Sequence, residues 1–136
     1  MHTLDFQTLH LYEPTSSGIT IPVELSVGRE RVTISNAKLD TGSSFCIFQR
    51  EYGDMLGLDV EQGVETRMAT PTGTFLAYGH EILLSALGHE FLVTVYFASF
   101  QGFIRNVLGR HGWLNKVRLG IIDYDGKLYV SAYDEP

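Results

Sequence analysis

Cysteine is nearly missing from this sequence. Cys46 stands alone among 136 residues, so no internal disulfide framework holds the chain, and this usage fits a reducing, cytoplasmic compartment. Basic residues are few, ten Lys and Arg against sixteen Asp and Glu for a net charge of -6. With no basic run to track phosphates, nucleic acid is not an expected partner. No apolar stretch approaches the roughly 18 residues of a membrane span, and the opening MHTLDFQTLH lacks a charged-then-apolar leader. A soluble chain without membrane association is expected. What it does contain is 44% hydrophobic residues, enough to bury one core, and a single domain over residues 1–136 is expected.

Those apolar residues are placed with a period of two. Ile19, Ile21, Val23, Leu25 and Val27 alternate with polar or small neighbours, the pattern of a half-buried strand. Gly28-Arg29-Glu30 offers a turn, and Val32 and Ile34 resume the alternation, so an antiparallel hairpin leads toward Asp40. Phe45-Cys46-Ile47-Phe48 reads as a short buried strand, and Arg50 to Leu58 as at most a short helix broken by Gly53 and Gly57. Val64 to Met68 and Thr74 to Tyr78 flank the turn residues Ala69-Thr70-Pro71-Thr72-Gly73, which predicts a projecting hairpin. Strands are also expected over Glu81 to Ala86, Phe91 to Phe97, Leu119 to Ile122 and Lys127 to Tyr133, with a short helix over Trp113 to Val117. The pattern predicts a mainly β chain: a small closed antiparallel β barrel with one short C-terminal helix.

Several familiar chemistries fail on spacing. His80-Glu81 opens H-E-x-x-H, but its second histidine falls on Leu84. Gly120 to Lys127 is one residue too long for a P-loop, and Leu128 stands where a Ser or Thr must hold magnesium. Gly42 to Cys46 lacks the second glycine of a nucleophile elbow. Asp123 and Asp125 are turn formers with no further acids at calcium-loop spacing. Cys46, inside an apolar run, reads as a packed core thiol. No metal and no cofactor are expected.

Asp40-Thr41-Gly42 remains, just past a strand and followed by Ser43-Ser44. With the alternating strands before it, the flap-like hairpin around Pro71 to Gly73, the run Val107-Leu108-Gly109-Arg110 and the short helix expected after it, the sequence resembles the retropepsin-like, or single-lobe pepsin-like, aspartic proteases from about Ile19 to Val130. The resemblance implies peptide hydrolysis with Asp40, Thr41 and Gly42 as the catalytic loop. In that chemistry a water is activated by one carboxylate while its partner protonates the carbonyl oxygen. Two acids roughly 3 Å apart share a proton because both cannot ionise, as is known for aspartic proteases. A chain with one such motif takes its second Asp40 from a second copy, so a homodimer is implied. Thr41 would turn its hydroxyl across the pair, and Ser43 would donate to the carboxylate. Substrate contacts are implied for Ser43, Ser44 and Phe45 after the acid, for Thr72 and Gly73 at the flap tip, and for Phe75 and Leu108 in pockets for apolar side chains of a peptide or protein substrate.

The sequence departs from the family pattern at several positions. Ser44 stands where retroviral relatives place the acid that pairs with the arginine here numbered Arg110, and His111-Gly112 replaces a helix-capping Asn or Asp. The hairpin has Thr70 and Thr72 where two-lobed pepsins carry a tyrosine, and Tyr78 reads as a packed strand residue. The alternatives are a catalytically silent dimerisation or peptide-binding module of the same fold, and a β domain in which Asp40 only forms a turn.

Overall fold

The computed structural model describes residues 1–15 and 17–135. Its strands are β1 (Thr8–Leu11), β2 (Thr20–Val27), β3 (Glu30–Leu39), β4 (Ile47–Phe48), β5 (Val64–Thr70), β6 (Gly73–Ala86), β7 (His89–Ala98), β8 (Val107–Leu108), β9 (Val117–Ile122) and β10 (Lys127–Ala132). One α-helix, α1, covers Arg50–Met55. No helix among the described residues is long and apolar enough to cross a membrane.

The alternation in β2 and β3 forms the hairpin it predicts. Ile21, Val23, Leu25, Val32 and Ile34 all face the core, and Gly28 makes the turn with a φ of 59° that glycine adopts without strain. The ladder slips between Ile21 and Val23, where Pro22 has no N–H to donate. β3 continues to Leu39 and delivers Asp40 at its end. Trp113, Phe48, Phe97 and Leu108 are each fully buried in the same core as that hairpin.

The chain is mainly β, as expected, but its strands fall into two sheets and not all of them run antiparallel. Seven strands run in the order β2-β3-β8-β4-β7-β6-β5, with β2 also paired to β6, and β1-β10-β9 form a separate three-stranded sheet. Two ladders of the larger sheet are parallel, β3 with β8 and β4 with β7. These pairs are separated by long stretches of chain, which parallel pairing requires.

Three further expectations are corrected. The strands predicted over Thr74 to Tyr78 and Glu81 to Ala86 are one fourteen-residue strand, β6. Gly79 does not break it; a Cβ there would sit 2.9 Å from the Tyr96 ring, so the glycine makes room for β7. Gly53 likewise lies inside α1, packed where a Cβ would meet Val60 and Phe97. The expected C-terminal helix is a single 3-10 turn, Leu114–Lys116, with no side-chain cap at Trp113; without a capping acceptor and with β-branched Val117 next, one turn is all that forms. The strand β1 went unforeseen, and it closes onto β10 with Leu9 opposite Tyr129.

Candidate active site

Asp40 is placed by main-chain bonds on both sides. Its N–H donates to the Leu108 carbonyl at 3.0 Å, and its own carbonyl accepts from the Ser43 N–H at 3.2 Å. The Gly42 N–H donates to Asp40 Oδ1 at 2.9 Å, which orients the carboxylate. A Cβ at residue 42 would stand 3.2 Å from that oxygen, so the loop is tight at the glycine. The carboxylate remains one-third exposed, and it faces a cleft of about 470 Å³.

The segment after β8 clamps this loop. The Arg110 N–H donates to the Ser43 carbonyl at 2.9 Å and the His111 N–H to the Ser44 carbonyl at 2.8 Å, completing a parallel bridge between Phe45 and His111. Gly109 permits the approach, because a Cβ there would press into the Phe45 carbonyl and lie 2.8 Å from that of Ser43. The buried Cys46 thiol packs against the same glycine, accepting from the Gly109 N–H at 3.4 Å. Burial pushes its pKa up to about 12, so it is held as a neutral thiol, as its apolar setting predicts.

The cleft brings together Asp40, Gly42, Ser43, Ser44, Phe45 and Phe75 from the residues singled out in the sequence. Others are placed elsewhere. Leu108 is fully buried and gives the site only its carbonyl, while its neighbour Val107 lines the cleft. Thr72 and Gly73 are exposed at the hairpin tip; Met68, Ala69, Thr70 and Pro71 form the roof. The Ser43 hydroxyl donates to the Phe45 carbonyl at 2.7 Å and so is turned away from the carboxylate it was expected to serve. Thr41 is exposed and opens onto a neighbouring hollow with Arg110, His111 and Asn115. Arg110 makes no ion pair among the described residues, in keeping with Ser44 in place of its acid. Tyr78 packs against the core.

The sequence reading missed three residues of this region. Arg105 brings Nη2 to 3.9 Å from Asp40 Oδ2, and Arg67 lines the roof side. Asn106, nearly buried, bonds Gln49 twice, accepting from its N–H at 3.1 Å and donating to its Oε1 at 3.0 Å. This anchors the strand-free segment that carries Arg105. A second anchor is the aromatic cluster of Phe75, Phe100 and Phe103.

No family model and no curated protein matches the sequence. Among solved structures the chain is similar to a retropepsin-like aspartic protease from Rickettsia conorii, with 19% identity and a TM-score of 0.58 over 82% of this chain and 89% of that one. At that identity the likeness is one of architecture: this chain has the retropepsin-like fold.

Proposed function

We propose that the protein is an aspartic endopeptidase that hydrolyses peptide bonds with two Asp40 carboxylates, one from each copy of a homodimer. The observation that carries the reading is the Asp40 carboxylate fixed by the Gly42 N–H at 2.9 Å while still one-third open to a cleft roofed by a hairpin. A lone carboxylate has no partner with which to share a proton, so the two roles of the reaction call for a second copy.

In the proposed reaction a water lies between the carboxylates. The ionised one takes a proton from the water as its oxygen attacks the peptide carbon, and the protonated one gives its proton to the carbonyl oxygen. The tetrahedral diol then collapses, the C–N bond breaks, and the amine leaves with a proton from the dyad. In this reading Thr41, exposed beside Asp40, meets its counterpart across the two-fold axis. The reading includes a cytoplasmic location, supported by cysteine usage without disulfides.

Asp40→Asn keeps the shape of the side chain and removes the base. Peptide cleavage should fall by about 10²- to 10⁴-fold, with the folded state and self-association retained by circular dichroism and sedimentation. Unchanged cleavage overturns the reading. A wild-type chain that binds extended peptides and never cuts them identifies the silent peptide-binding module instead.

A further inference from the structure

The cleft is basic although the chain is acidic overall. Arg105 stands between two hollows, the one of about 470 Å³ over Asp40 and an adjoining one of about 270 Å³ that also holds Lys38. Arg67 lines the first from β5. Against these three cations, Asp40 is the one acid lining either hollow among the described residues. Lys38 and Arg67 are in no ion pair there; Arg67 donates only to the Thr74 hydroxyl at 3.3 Å. Arg105 reaches Asp40 at 3.9 Å, beyond hydrogen-bond length, so its donors remain largely unspent.

A cation without a partner in a cleft that receives a peptide discriminates between side chains. It repels Lys and Arg, and it gives a carboxylate charge-assisted hydrogen bonds that an amide matches poorly. A guanidinium adds the two-pronged geometry that fits a carboxylate. Phe75, Phe103 and Ile47 give the hollow over Asp40 apolar walls as well, which suits the methylenes of a Glu side chain. The net charge of -6 makes this concentration of positive charge local to the cleft.

We propose that the cleft selects acidic peptides, with Arg105 and Arg67 together binding a Glu or Asp side chain beside the bond held at Asp40. This rests on the peptidase reading for the identity of the ligand as an extended peptide. Lys38 extends the same preference into the adjoining hollow. Arg105 exchanges its loose contact with Asp40 for the substrate carboxylate, so an acidic substrate also withdraws a cation from the catalytic acid.

The test measures binding apart from cleavage. Two fluorescein-labelled pools of extended peptides, apolar at alternate positions and carrying either Glu or Gln in the intervening ones, are titrated with the full chain, wild type and Asp40→Asn, by fluorescence anisotropy. The Glu pool should bind about tenfold more tightly at low salt, with the ratio shrinking as ionic strength rises. Arg105→Leu should bring the two pools near parity, Arg67→Leu should narrow the ratio, and Arg105→Glu should shift preference toward a Lys pool. Equal binding of the Glu and Gln pools, binding of neither, or a preference that survives both arginine substitutions overturns the inference, whether or not the peptides are cut. A Glu preference without cleavage overturns the peptidase reading alone.

Discussion

Between Asp40 and Phe45 the chain gives its backbone groups to distant neighbours, bonding Leu108, Arg110 and His111 across about seventy residues of sequence. Between Thr70 and Gly73 it bonds only to itself: the Thr70 hydroxyl donates to the Gly73 carbonyl at 2.9 Å and accepts from the Thr72 N–H at 3.3 Å. The first segment is the floor of the cleft and is tied to the fully buried Leu108. The second is the roof, exposed along its tip. On the proposed reading, the contrast assigns chemistry and access to different parts of the sheet. A reacting carboxylate gains from being held in one place, whereas a peptide can enter only where the covering segment is free to move.

The largest effect expected from breaking this contrast is on the floor. Gly109→Ala forces a Cβ against the Phe45 carbonyl and within 2.8 Å of that of Ser43. Neither atom can yield without losing the Arg110 and His111 bonds, so a loss of about 3 kcal/mol or more is expected in chemical denaturation. A variant as stable as wild type removes the clamp from the account.

A smaller effect is expected at the roof. Thr70→Ala deletes both local bonds of an exposed tip and should change stability by no more than about 0.5 kcal/mol. On the proposed reading its signature is kinetic, a KM raised severalfold with kcat less affected, because Thr70 lines the cleft from the roof and Asp40 from the floor. An equal fall in kcat and kcat/KM would place Thr70 in the reacting geometry and blur the distinction between floor and roof.

The smallest effect lies away from both. A hydrogen bond from Arg50 at 2.9 Å, helped by the charge of the guanidinium, holds the Glu61 carboxyl below the ordinary carboxylate range. A pKa depressed by folding contributes stability above its unfolded value, and that contribution is lost as pH falls through the folded one. Glu61→Gln should therefore be slightly less stable than wild type at about pH 7 and converge with it as the pH falls below the folded value of Glu61. A difference that grows on acidification contradicts the pairing.

The floor was more legible in the sequence than the roof. Strict alternation from Ile19 to Ile34 announces a hairpin, and Asp40-Thr41-Gly42 at its exit announces the loop. Gly109 was visible as part of an apolar-Gly-Arg run, though the collision that requires it is a contact between residues distant in sequence. Val107 and Leu108 illustrate what alternation leaves open: two adjacent apolar residues face opposite ways, and only the pairing of β8 with β3 and β4 decides that Leu108 enters the core. Gly53 read as a break because a glycine that frees the chain and one that makes room for a neighbour look alike in one dimension, and the room it makes is for Val60 and Phe97. Arg67 and Arg105 carried no signal, since isolated cations read as solvated surface until the fold sets them beside Asp40. The helix expected over Trp113 to Val117 had no capping residue to start it, His111-Gly112 standing in front, and a single 3-10 turn is what forms.

The central claim is that each site takes one Asp40 from each of two copies, and mixing the wild-type chain with Asp40→Asn tests it most directly. With the inactive variant in about ninefold excess at constant wild-type concentration, random exchange leaves most wild-type chains paired with an inactive partner. Peptide cleavage per wild-type chain should then fall about tenfold. Cleavage that stays constant as the variant is added, at concentrations where sedimentation shows the two chains exchanging, would mean that one Asp40 suffices.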